Sequence, residues 1–188
     1  MPPKNKFTKE QIINASIKLI SQEGEQALSA RNLAKSLNSS SKVIFGLFKN
    51  MDDLLESVYE EMLSNFYLKL GDALKDESKP GYLTVGLAYI RYAMDNTNIF
   101  KALIYSKRKP RPQISGSYLD MIFKIISEKS HVSIKEAEDI HLKYWIFMHG
   151  VVDLIINSNF KLSIEQIEEM LEENYNNLVK STKEKRKD

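Results

Sequence analysis

Three histidines and no cysteine limit the chemistry that this 188-residue chain can perform. His141 and His149 lie eight residues apart around Trp145, so a helix would place both imidazoles on one face, with Glu138 close by. Two imidazoles and a carboxylate are a metal-ligand set in principle. The same spacing equally describes two histidines packed along an ordinary helix, and that reading is preferred, with no metal and no cofactor expected. Without cysteine there is no disulfide framework, no thiolate zinc site and no cysteine nucleophile. The sequence also has no Gly-rich phosphate loop, no nucleophile elbow and no His-Glu-x-x-His pair, so an enzyme is not expected.

Charge distribution points to a different chemistry. Of the overall net +2, residues 1–52 carry +4: Lys4, Lys6, Lys9, Lys18, Arg31, Lys35, Lys42 and Lys49 stand against Glu10, Glu23, Glu25 and Asp52, and the remainder carries −2. A basic segment on a mildly acidic body is what a phosphate-binding module beside a separate domain would show, and ordinary surface scatter of charge gives the same balance. Within that segment, Leu28 to Phe45 reads as a helical run, a polar turn (Asn38-Ser39-Ser40) and a second short helix. Leu33 and Leu37 are four apart on the first helix, as are Ile44 and Phe48 on the second. Each pair can therefore bury one helix face against Ile12, Ala15 and Leu19. The other face of 41–47 is left for a partner. A B-DNA major groove, roughly 12 Å wide, accepts one α-helix whose first residues reach base edges, and a helix N-terminus favours phosphate.

The elements that must position these residues are helical throughout. Apolar residues recur at spacings of three and four, glycine and proline are sparse, and no alternating strand is convincing, which predicts an all-α fold. Capping pairs mark four helix starts: Thr8 with Gln11, Asn50 with Asp53 in a looser form, Ser133 with Glu136, and Ser163 with Gln166. Gly24 closes the first helix. The pattern predicts nine helices, near 9–23, 29–36, 41–47, 51–76, 81–95, 98–106, 113–129, 134–157 and 164–184. Breaks fall at Asp76 to Pro80 and Lys107 to Pro112, and the basic tail from Lys180 is expected to fray. The predicted domains are a three-helix DNA-binding head over 1–52 and a helical ligand-binding and dimerisation domain over 53–188.

Thr8 through Leu55 resembles the N-terminal domain of the tetracycline-repressor (TetR) family. The resemblance is carried by Thr8-Lys9-Glu10-Gln11-Ile12-Ile13-Asn14-Ala15, by Gly24, by Leu33-Ala34, and by Phe45-Gly46-Leu47-Phe48-Lys49-Asn50-Met51-Asp52-Asp53-Leu54. Tyr144 to Val152 is similar to the Trp/His-Gly segment of a penultimate helix in many of these regulators. The resemblance assigns Ser29, Arg31, Ser40, Ser41, Lys42, Val43, Phe45 and Lys49 to DNA. Lys49 and the serines would position phosphates, Lys42 and Arg31 would reach guanine O6 or N7, and Val43 would touch a thymine methyl. Departures are concentrated in the reading helix. Lys42, Val43, Phe45 and Leu47 stand where family members commonly have Gly, Thr, Tyr and His, and Met51 replaces a common lysine.

The resemblance further implies a homodimer that binds a pseudo-palindromic operator and is released when a small molecule changes the separation of its two heads. Aromatic and Met residues between 51 and 129 are numerous enough to line a pocket, although helical spacing more often makes them core. Tyr89, Tyr92, Phe123 and Trp145 are the expected pocket residues. Met148, Val152 and Ile156 on one stripe, with Ile167 and Leu171 on another, are the expected dimerisation residues; either stripe can instead serve the chain's own core. The most apolar run, Tyr144 to Ile156, is interrupted by His149, Gly150 and Asp153 and is too short for a bilayer span of roughly 20 residues. With no secretory signal at Met1 to Lys6, a cytoplasmic protein is expected. The alternative class is a helical interaction protein that has lost specific DNA binding.

Overall fold

Thr8 begins the first helix by the chemistry its sequence predicts. The Gln11 N–H donates to Thr8 Oγ1 at 3.2 Å, and the Thr8 N–H donates back to Gln11 Oε1 at 2.9 Å. The computed structural model describes residues 7–76, 79, 82–108, 116–158 and 160–186. Met1 to Lys6, most of the two predicted loops, the predicted helix starts at 81 and 113, and Lys187 lie outside the described residues. Helix α1 (Lys9–Glu23) ends on Gly24, whose φ of +83° suits a residue without a side chain. A short 3-10 turn, Glu25–Ala27, leads to α2 (Ala30–Ser36), where Ser29 Oγ accepts from the Asn32 N–H at 3.2 Å.

The turn to α3 (Ser41–Phe45) is built by backbone bonds from Asn38 N–H to Lys35 O at 3.0 Å and from Ser39 N–H to Ala34 O at 2.9 Å. This pairing is a Schellman ending, and it puts Asn38 at φ +46°. Helix α3 is two residues shorter than predicted. The Phe48 N–H still reaches Ile44 O at 3.0 Å, so a turn extends α3 before the chain bends into α4 (Met51–Leu74). Asn50 Oδ1 caps α4 through the Asp53 N–H at 2.9 Å, and Asp53 Oδ2 accepts from the Lys49 N–H at 2.8 Å, one residue beyond the position a strict box would use.

By compactness the described residues form two units, within Met1–Tyr67 plus Asn96–Gln113 and within Leu68–Asp95 plus Ile114–Asp188. The predicted head, 1–52, lies inside the first, which also takes α6 (Thr97–Tyr105). Its core is Ile12, Leu19, Ile20, Leu28, Leu33, Ile44, Phe48, Leu54, Val58, Tyr59 and Phe100. Leu37 and Ala15 are only half-buried. Asn98 Nδ2 on α6 donates to Ser21 O on α1 at 2.9 Å.

In the second unit, α8 (Ile134–Asn157) packs against α5 (Leu83–Asp95), α7 (Gly116–Ser130) and α9 (Ile164–Glu184). Nearly every side of α5 is apolar, and it is buried from Leu83 through Leu87 and at Tyr89, Ile90 and Ala93. Helix α9 instead buries only Ile167, Leu171 and Tyr175, one residue per turn, and turns a row of glutamates outward. Both helices α8 and α9 start with the predicted reciprocal boxes at Ser133 and Ser163.

Two expectations need correction. Met148, Val152, Ile167 and Leu171 are at most 1% exposed and belong to this unit's own core, so they offer a second subunit nothing. Their period marks a buried face without saying which neighbour covers it, and here α5, α8 and α9 cover one another. Ile156 is half-buried. The tail is not frayed from Lys180 either: α9 continues to Glu184, and Arg186 forks onto Glu136 with Nε to Oε1 at 2.7 Å and Nη2 to Oε2.

Candidate nucleic-acid interface

Helix α3 is fixed from beneath by two buried side chains, Ile44 at 0% and Phe48 at 2% exposure. That attachment decides what is left outside. Ser40, Ser41, Lys42 and Phe45 are exposed, Phe45 at 44%, and Val43 is half-buried between the two faces. The Ser40 side chain makes no capping bond, so its hydroxyl and that of Ser41 stand at the open end of the helix. Arg31 and Lys35 on α2 and Lys49 after α3 are exposed cations. Ser29 is half-buried, with its oxygen engaged in capping α2. Lys9 Nζ, which sequence reasoning did not single out, lies 5.3 Å from the centre of the Phe48 ring and adds a cation at the same helical junction.

A short helix that presents Lys42 and an aromatic ring outward, after a tight turn and on a buried apolar base, can do two things. It can place cations and hydroxyls against phosphates, and it can bring Lys42 and Phe45 to base edges. An exposed phenylalanine costs solvation in the free protein, so it suits a surface that is covered when bound.

The predicted pocket residues fall in the second unit. Tyr89 is buried on α5, and its Oη shares a 2.8 Å hydrogen bond with His149 Nδ1; Trp145 stacks on the same imidazole at 5.1 Å between ring centres. Phe123, half-buried, meets His141 edge-on at 5.4 Å. Tyr92 is half-buried on α5, and burial raises its phenol pKa. The structure thus joins Tyr89 to Trp145 through His149, and it joins Phe123 to a second pair that sequence reasoning missed. In that pair Tyr82 Oη and His141 Nδ1 are 3.0 Å apart. The signal was present: Tyr82, immediately before α5, and Tyr89 on it are seven residues apart, close to the eight that separate His141 and His149 on α8. Burial holds His141 near pKa 4, well below an ordinary imidazole, and it also lowers His149, against the opposing pull of Asp153. Among the described residues no three His, Cys, Asp or Glu side chains converge as a metal site.

The fold and this surface define a helix-turn-helix DNA-binding protein. Residues 12–58 match the family model for bacterial regulatory proteins, tetR family, so this segment is a DNA-binding domain of the tetR-family type. It is 21% identical over 174 residues to the uncharacterized HTH-type transcriptional regulator YobS of Bacillus subtilis (strain 168), covering 92% of this chain and 89% of that protein. It is 25% identical over 108 residues to the HTH-type nicotine-responsive transcriptional repressor HdnoR of Paenarthrobacter nicotinovorans, covering 54% of this chain and 56% of that one. The crystal structure of a TetR-family regulator from Haemophilus influenzae shares the fold at a TM-score of 0.65 and 24% identity, over 89% of this chain and 94% of its own. No helix among the described residues is long and apolar enough to cross a membrane.

Proposed function

We propose that the protein is a homodimeric, cytoplasmic repressor that grips a pseudo-palindromic operator through residues 1–52 and is released by a small molecule bound within 53–188. The observation that carries the reading is the outward face of α3, where Ser40, Ser41, Lys42 and Phe45 are exposed while Ile44 and Phe48 anchor the helix. Lys42 and Arg31 read bases, and Lys49 with the serines at 29, 40 and 41 sets the register on phosphates.

Pairing of two copies is assigned to what the second unit leaves uncovered. Leu142, Trp145, Ile146 and Leu154 on α8 and Met170 on α9 are exposed apolar side chains on the two long helices, and they replace the four core residues as dimer candidates. Two heads must reach half-sites about 34–36 Å apart, or a multiple of that, so a small pivot of each head abolishes simultaneous fit. A ligand that binds the DNA-incompetent state more tightly then releases the operator. Support for such a ligand comes from the nicotine-responsive relative aligned over 54% of this chain, and from the Tyr89, His149 and Trp145 cluster, which offers flat rings with a few polar atoms.

Selection of bound sites from a random DNA pool, followed by gel-shift titration at two salt concentrations, tests the reading. The expected result is an enriched two-fold motif whose affinity falls steeply with salt. A pool without enrichment overturns it in favour of a helical interaction protein.

A further inference from the structure

Glu25 lies in the 3-10 turn between α1 and α2, four residues before the Ser29 cap. Its Oε1 accepts hydrogen bonds from Tyr59 Oη on α4 and from Ser106 Oγ at the end of α6, and those two hydroxyls are themselves 2.9 Å apart. Tyr59 and Ser106 are both buried. Arg108 completes the cluster: its N–H donates to Ser106 Oγ at 3.0 Å, its Nη1 donates to Leu28 O at 3.2 Å, and its Nε stands 3.9 Å from Glu25 Oε1. Burial and the neighbouring carboxylate push the Tyr59 phenol up to about 12, so it stays protonated and donates.

A carboxylate this covered, with its side chain 11% exposed, persists only with compensation. Every compensating group comes from outside α1 to α3. Leu28 O, held by Arg108, immediately precedes the cap of α2, so the segment that launches the reading pair is fastened at both Glu25 and Leu28. Apolar packing beneath α1 and α2 is non-directional, whereas these hydrogen bonds have preferred angles and lengths.

We propose that Glu25 is a positioning residue for operator reading: through Tyr59, Ser106 and Arg108 it sets the angle at which the first unit presents α3. The inference rests on the dimeric DNA-binding reading above. Loss of the cluster leaves the head folded on Ile12, Leu33, Ile44 and Phe48 but free to pivot, which relaxes the match between two heads and the spacing of two half-sites.

The test compares the selected operator with versions whose half-sites are one base pair further apart or closer, a change of about 3.4 Å along the axis per base pair. Wild-type protein should discriminate sharply between these spacings. Glu25→Ala and Tyr59→Phe should each lower that discrimination about fivefold, the equivalent of one lost hydrogen bond, with affinity for an isolated half-site unchanged. Glu25→Gln, which keeps an acceptor for both hydroxyls, should restore most of it. A merely structural role would lower the melting temperature and all DNA affinities together and leave the spacing ratio intact. Tyr59→Phe keeps the buried ring and decides the matter if Glu25→Ala fails to fold. A wild-type spacing ratio in either folded variant overturns the proposal. If the wild-type protein binds no selected motif at any spacing, the DNA-binding reading falls and takes this inference with it.

Discussion

The hydroxyl of Tyr144 on α8 sits 2.5 Å from the place a Cβ on Gly86 of α5 would occupy, and Met148 Sδ is 3.1 Å from the same point. Tyr144 is fully buried, and its hydroxyl has no hydrogen-bond partner among the described residues. Close approach of two long helices has thus been reached by deleting a side chain on one and leaving a polar atom unsatisfied on the other. In an exposed helix Gly→Ala would gain about 1 kcal/mol. Here the overpacking penalty of about 1–3 kcal/mol outweighs it, so Gly86→Ala should lower stability in thermal or urea unfolding.

Tyr144→Phe removes the obstructing oxygen together with its uncompensated desolvation, and it should be neutral or stabilising by up to about 1 kcal/mol. In that background the ring carbon at 3.1 Å needs only a small shift, so Gly86→Ala should cost less than it does in the wild type. Equal costs in both backgrounds would show that the hydroxyl is not the obstacle.

Asn38 makes a local counterpart in the turn before the reading helix. Its φ of +46° is tolerated by asparagine and free for glycine, but it costs other residues about 1 kcal/mol or more. Asn38→Gly should leave stability close to wild type, and Asn38→Ala should lower it by about that amount. Equal melting temperatures for the two variants would refute the assignment of strain.

What was legible in the sequence follows the range of the interactions. Thr8, Ser133 and Ser163 cap helices through bonds three residues long, so their pairs could be read directly. Leu33, Ile44 and Phe48 follow from helical period and are core. Period failed where it had to choose a neighbour: Met148 and Leu171 carry the right spacing for a subunit interface and are spent on the chain's own packing. Glu25 was read only as one charge against eight cations, because its partners Tyr59 and Ser106 are 34 and 81 residues away. The pairing of Tyr82 with His141 across 59 residues was hidden for the same reason.

On the reading helix, exposure separates residues that period alone could not. Lys42→Ala should weaken operator binding by about 1–3 kcal/mol and relax base preference at one position, and Phe45→Ala should weaken binding with little change in melting temperature. Ile44→Ala, by contrast, should cost about 2–5 kcal/mol of stability, because it empties a fully buried position. Site selection with each purified variant checks the first two, and unfolding curves check the third. A Phe45→Ala variant that loses stability but not affinity would assign that ring to packing rather than to DNA.

Acid sensitivity should resolve into two windows. His141 titrates near 4 in the folded chain because burial disfavours its charge, against 6.5 for an ordinary imidazole. As pH falls from about 6.5 to 4 the unfolded chain gains this proton before the folded one does, so stability falls across that window, by on the order of 2 kcal/mol for this group. Glu136 is held near 2 rather than 4.5, first by Arg186 and then by Ser133, so its stabilisation is complete above about 4.5 and lost as pH drops toward 2. Thermal melts from pH 7 to 2 should therefore show a shallower decline between 6.5 and 4 for His141→Gln, which retains a neutral acceptor for Tyr82. Arg186→Gln should flatten the limb below 4.5 and leave the upper one unchanged. If both variants follow the wild-type curve throughout, neither group controls the acid limb, and the burial of His141 and the clamp on Glu136 are energetically silent.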